Sequence, residues 1–396
     1  MAKGPRQGDG PVSPSEGRRV GMLVAEAQEA LAHARSEEAV LRIVADHACR
    51  MLQARLTAVW TPDMYGWLVP RATAGAAEEY ARSLKLSVRP DRPSGAGMAG
   101  VAFREGRIIA LNTQDAPPTG MPANRWEAWR RRAAAHGFRQ VLILPLRYQE
   151  SSLGLLNCYL AGSGPPNPAA WEAVRGLAIT ATAALHGMYL REETMLTLAA
   201  ALEVRDAETL EHARRVALYA ERLAEEMGVL DPEQLERVRW GALLHDVGKI
   251  GLPDQVLKQA GKLDAATWRV VRRHPGMGYE LIRRLEFLGD ARLVVLAHHE
   301  RFDGTGYPRG LRGEAIPLGA RIFAVVDTLD AITSDRPYRP AADYLRAAAE
   351  IRQGAGTQLD PAAVAAFGRV GEEQWTRLRR RARQGFFSRL RPRRTR

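Results

Sequence analysis

Five histidines between residues 212 and 299 constrain this chain more than any other feature. From about Thr197 to Val370 the residues read as almost entirely helical, with no clear alternating strand. A lone helical histidine is usually a satisfied structural residue. His212, His245, His274, His298 and His299 instead each stand beside a carboxylate, another histidine or a glycine-containing turn. A helical fold of this composition is expected to bring several nitrogen and oxygen ligands together from separate helices.

His245 and Asp246 stand in Leu243-Leu244-His245-Asp246-Val247-Gly248-Lys249-Ile250, so a buried helix is expected to deliver the pair, with Gly248 allowing close backbone approach. An imidazole and a carboxylate side by side suit a borderline divalent metal such as Fe or Mn, and an aspartate between two ions can give one oxygen to each. Lys249, four residues from His245, is placed on the same helix face, where an ammonium would hold a phosphate oxygen. His298-His299-Glu300 ends another apolar segment, Leu293–Ala297. The following Asp303-Gly304-Thr305-Gly306-Tyr307-Pro308 makes a tight loop presenting an aromatic ring for a base or phosphate, unless it is a plain surface turn.

Asp327 follows the apolar stretch Arg321–Val326, where an unpaired buried acid would be costly. Arg336 and Arg339 lie nine and twelve residues beyond it, suited to a second phosphate or a guanine edge. N/O ligands from separate helices, cations and an aromatic at the rim, and no Ser or Cys nucleophile, suit metal-assisted phosphodiester hydrolysis.

The same residues, in order with Arg205-Asp206, Thr209, Pro253-Asp254, Gly261-Lys262-Leu263 and Gly278, resemble an HD-GYP domain, the phosphohydrolase subgroup that cleaves the bacterial second messenger cyclic di-GMP. The resemblance spans about 170 residues. It implies an all-α fold, linearisation of cyclic di-GMP to pGpG, with or without onward cleavage to GMP, and two or three divalent ions, Fe or Mn. His212, His245, Asp246, His274, His298, His299 and Asp327 become metal ligands, Asp246 and Lys249 the catalytic pair, and Lys249, Tyr307, Arg336 and Arg339 the substrate contacts. Ala260 departs from the family's usual Pro. Glu208, four residues before His212 on one helix face, stands where many members carry an aromatic. It is either an exposed acid or a ligand of a third ion. The alternatives are a catalytically silent module binding cyclic di-GMP or docking through the Gly306–Pro308 loop on a partner such as a diguanylate cyclase, and an HD hydrolase of another nucleotide.

The first half carries strand-like segments at Leu56–Trp60, Trp67–Ala72, Ile108–Asn112, Gln140–Arg147 and Leu153–Leu160, flanked by helical patterns. An antiparallel sheet with helices packed on it is expected. Gly97–Ala102 before Gly106, Asn112–Asp115, Gly137-Phe138, Leu142–Leu146 and Leu153–Asn157 resemble a GAF sensory domain. That implies regulation by a small ligand the sequence does not identify. Cys49 and Cys158 sit in apolar segments and read as core packing rather than chromophore attachment or redox sensing.

Expected boundaries are a disordered lead over 1–19, a GAF-like α+β domain over 20–190, a helical HD-GYP domain over 191–370 and a basic tail over 371–396, the two domains joined by a long helix. Val174, Leu177, Ala181, Ala184, Met188, Arg191, Met195, Leu198 and Leu202 repeat at 3-4 spacing. They fit either a homodimer seam or a helix packed on its own domains. Net charge is +12, but Arg377–Arg396 holds ten Arg and no acid, leaving +2 for the rest. That tail is either a solvated end or a contact for anionic lipid or nucleic acid. No transmembrane run or signal peptide is visible, and a cytoplasmic location is expected.

Overall fold

A computed structural model of the chain describes residues 14–119, 121–203, 210–257, 264–335 and 340–383. Its contacts divide between Leu190 and Arg191. The first unit contains strands β1 (Leu56–Pro62), β2 (Trp67–Gly75), β3 (Leu86–Ser87), β4 (Ile109–Asn112), β5 (Gln140–Tyr148) and β6 (Ser151–Leu160). They form one antiparallel sheet in the order β3-β2-β1-β6-β5-β4. Its helices are α1 (Pro14–His33), α2 (Glu37–Leu52), α3 (Glu78–Ser83), α4 (Met98–Glu105), α5 (Ala123–Ala135) and the first part of α6 (Pro168–Glu203). All five expected strands form. The added β3 is two residues long, too short to carry a period-2 pattern.

Strands β5 and β6 are largely apolar on both faces because both faces are covered over most of their length. Val141, Ile143, Leu155 and Tyr159 pack with Tyr80, Phe103 and Trp126, while Leu142, Leu144, Leu156 and Cys158 pack with residues of α1, α2 and α6. Cys158 is wholly buried there, and Cys49 donates its thiol to the Ala54 carbonyl at 3.2 Å. Burial pushes both thiols up in pKa, consistent with packing roles. Helix α1 already begins at Pro14, and Val20 is buried, so residues 14–19 belong to a helix rather than to a disordered lead.

The second unit is helical: α7 (Leu210–Glu226), α8 (Pro232–Leu243), α9 (Asp254–Leu257), α10 (Ala265–Val271), α11 (His274–Ile282), α12 (Ala291–Ala297), α13 (Leu318–Thr333), α14 (Tyr344–Gln353), α15 (Pro361–Arg369) and α16 (Glu372–Arg383). One apolar core unites Val216, Leu223, Leu243, Val295, Phe323, Ile351 and Phe367. No helix among the described residues is long and apolar enough to cross a membrane.

One expectation is corrected here. The basic segment is ordered helix as far as Arg383: Trp375 is buried against Tyr219 and Phe367, and Arg383 pairs with Glu211. Part of the 3-4 seam on α6 packs on the chain's own cores. Val174, Leu177 and Ala181 are buried in the first unit's core and Met195 in the second's, while Leu198 and Leu202 pack against the latter.

Candidate metal centre

Three imidazoles are aimed by one device used three times. Helix ends leave carbonyls without intrahelical partners. The Nδ1 atoms of His245, His274 and His298 lie 2.9, 2.8 and 2.8 Å from the carbonyl oxygens of Ala242, Val271 and Val295, each three residues back at the end of α8, α10 or α12. A ring donating Nδ1–H to a carbonyl keeps, when neutral, a bare lone pair on Nε2. Burial pushes His298 down to about 4 and lowers His299 strongly, so both are neutral at pH 7.

Those lone pairs converge. His274 Nε2 lies 3.0 Å from His298 Nε2 and 3.0 Å from Asp246 Oδ1, which is 3.7 Å from His298 Nε2. Donor atoms this close are held together by a shared cation, a proton or a metal ion. Asp246, His274, His298 and His299 each offer one ligand atom within 4.8 Å of the others. This donor set fits a divalent metal of the N/O-preferring kind.

The other Asp246 oxygen faces a different group of residues. Oδ2 is 3.1 Å from His245 Nε2 and 2.8 Å from Lys249 Nζ. Burial alone would raise the Asp246 pKa. The charges of His245 and Lys249 and the bonds from His245 and His274 outweigh it and hold the carboxyl well below its usual range. Beyond His245 the ring of His212 stands edge-on at 5.4 Å, with its Nε2 3.8 Å from Asp327 Oδ1. His212 Nδ1 points the other way, 2.7 Å from Asp330 Oδ2. Arg215 grips Asp330 through both Nε and Nη2. Burial would raise Asp330 too, but the bonds from His212 and Arg215 prevail and keep it ionised.

The loop after His299 is stitched down by Glu300. Its buried carboxylate accepts from the backbone N–H of Arg309 at 2.7 Å and of Leu311 at 3.0 Å. Gly306 runs against residues 299–301 so closely that a Cβ there would overlap the Arg301 nitrogen and the Glu300 Cα. The Tyr307 N–H donates to the His299 carbonyl at 3.1 Å, and its ring stacks on His299 with centroids 4.7 Å apart. Burial, followed by the Asp246 charge, pushes its phenol up to about 12.

Residues 197–363 match the family model described as HD domain, and residues 36–185 the model described as GAF domain. The chain joins a GAF domain to an HD domain. Among similar curated proteins, a Vibrio cholerae "Cyclic di-GMP phosphodiesterase" is 41% identical over 197 residues, covering 46% of this chain and 40% of that protein. The Xanthomonas campestris pv. campestris "Cyclic di-GMP phosphodiesterase response regulator RpfG" is 44% identical over 186 residues, covering 46% and 49%. A V. cholerae "3'3'-cGAMP-specific phosphodiesterase 2" is 40% identical over 150 residues, covering 37% and 28%. The chain thus spans half or less of the length of each of these relatives.

Within the HD domain the structure brings Asp246, His274, His298 and His299 into one cluster, with His245, Lys249 and Tyr307 against it and the His212–Asp327 pair beyond His245. Glu208, Arg336 and Arg339 lie outside the described residues, as do Arg205, Asp206, Thr209 and Gly261–Leu263. Two expectations change in detail. His245 and Asp246 do not continue a helix with Lys249: α8 stops at Leu243 and a 3-10 turn covers Val247–Gly251. The break brings the turn onto α11, where a Cβ on Gly248 would overlap the His274 carbonyl oxygen and the Gly278 nitrogen. Asp327 is not the buried acid of α13; its side chain is 38% exposed, against 2% for Asp330. Sequence reading missed Asp330 and Arg215. Each sits three residues past a named ligand, Asp327 or His212, on the same helix face, and that spacing was the available signal.

Proposed function

We propose that this chain is a metal-dependent phosphodiesterase that hydrolyses cyclic di-GMP to pGpG, with or without onward cleavage to GMP. The observation carrying this reading is the convergence of bare imidazole and carboxylate lone pairs around Asp246, with Lys249 and Tyr307 at its edge. The printed names of the relatives support the substrate. Two ions are proposed on either side of Asp246, Fe or Mn, with Glu208 and His212 helping to hold a third. Bound there, divalent cations would neutralise charge on the phosphodiester and lower the pKa of water. Lys249 would hold a phosphate oxygen and Tyr307 a base or phosphate, while Arg336 and Arg339 would take the second half of the substrate. The GAF domain is read as adjusting this activity through a small ligand. The chain is placed in the cytoplasm, where a cyclic dinucleotide messenger acts.

A second reading, 3'3'-cyclic GMP-AMP as substrate, is favoured by the likeness to the protein named for it. Purified protein loaded anaerobically with Mn(II) or Fe(II) should be given each dinucleotide separately. A kcat/KM for cyclic di-GMP at least about tenfold higher is expected. The reverse preference would transfer the site to the mixed dinucleotide, and no turnover of either would defeat the enzymatic reading. Metal analysis of Glu208→Ala tests the third ion: bound metal should fall from about three to about two per chain. Two ions in fully loaded wild type would remove Glu208 from the site.

A further inference from the structure

The Tyr307 ring has two side-chain partners: it stacks on His299, and the guanidinium of Arg272 stands over the ring, its Cζ 4.6 Å from the centroid. Arg272 comes from a different element: it caps the end of α10, where its N–H donates to the Trp268 carbonyl at 3.0 Å. Glu300 and the Tyr307 N–H fix the loop backbone. Neither fixes the side-chain torsions, which decide where the phenol points. A guanidinium over a tyrosine face is attracted by the ring quadrupole, and its planar shape lets it stack where an ammonium cannot. No ion pair or hydrogen bond from the Arg272 side chain is recorded among the described residues, so its packing on the ring is the contact that requires an explanation.

We propose that Arg272 is a positioning residue that clamps the Tyr307 ring against His299 in the orientation that receives substrate. What Tyr307 receives rests on the function proposed above; the clamp itself is independent of it. Because the ring is set before substrate arrives, the effect falls on binding rather than on the chemical step.

The test measures kcat and KM for cyclic di-GMP in the metal-loaded full chain for wild type, Arg272→Ala, Arg272→Lys, Tyr307→Ala and the Arg272→Ala/Tyr307→Ala double variant. Amide hydrogen exchange across residues 304–309 is followed in the same proteins. Arg272→Ala should raise KM about three- to tenfold and leave kcat within about twofold, and Arg272→Lys should recover part of the loss. In the Tyr307→Ala background, removing Arg272 should change KM by less than about twofold, since the two act as one unit. Exchange at the Tyr307 amide should quicken in Arg272→Ala, because loop opening lifts the ring from His299. An equal KM penalty in both backgrounds would mean Arg272 touches substrate directly, and the proposal would be overturned. Unchanged KM with unchanged exchange would overturn it as well. If wild type turns over no cyclic dinucleotide, the proposed function fails, and the exchange comparison alone decides the clamp: faster exchange supports it and unchanged exchange refutes it.

Discussion

Asp330 is buried on α13 and charged because two partners share it: His212 through Nδ1, and Arg215 through its guanidinium fork. Such a carboxylate fixes the imidazole's tautomer and aims its other nitrogen. Its folded pKa lies below the ordinary carboxylate value near ~3.9. The stability it contributes is therefore present above about pH 4 and is lost as pH falls through the folded pKa. Asp330→Asn leaves the buried Arg215 with Glu211 alone as its acidic partner, so we expect a loss of roughly 1–3 kcal/mol at pH 7. The gap to wild type should narrow below about pH 4. Urea melts at pH 7 and pH 3 check this, and equal stability at pH 7 would refute it. The clustered histidines were legible in the sequence because several histidines at ends of apolar segments point to a shared task. Asp330 and Arg215 were not, since one acid and one arginine on helices look like ordinary surface charge until the fold buries them.

At the scale of elements, periodicity read the two faces of the sheet and the apolar helices well, and failed where one pattern permits two packings. The α6 seam is the clearest case: a 3-4 repeat looks the same whether its partner is another chain or its own core. Here Val174, Leu177, Ala181 and Met195 are already covered. Helix α16 is the opposite case. Its charge suggested a free tail, yet Trp375 and Ala382 bury one stripe of it while the arginines line the rest. Trp375→Ala should therefore cost roughly 3–5 kcal/mol, as for other large buried aromatics. Thermal unfolding of the full chain measures this, and an unchanged melting temperature would return the segment to the solvent. The turn at Val247–Gly251 was read as helix because apolar spacing cannot register a backbone approach of the kind Gly248 makes to α11.

Across the whole molecule, a GAF domain and an HD domain share one chain, and the candidate metal centre lies in the second. The proposed function requires that the groups gathered around Asp246 bind divalent metal and that this metal site cleaves cyclic di-GMP. The most direct measurement compares wild type with Asp246→Ala and Lys249→Ala after anaerobic loading with Mn(II) or Fe(II), counting metal per chain and following pGpG formation. Wild type should bind at least two ions and release pGpG. Lys249→Ala should keep its metal but lose most of its rate, because an ammonium is not a ligand. Asp246→Ala should lose metal and turnover together while its helical circular dichroism stays near wild type. Hydrolysis at the wild-type rate by Asp246→Ala would contradict the account.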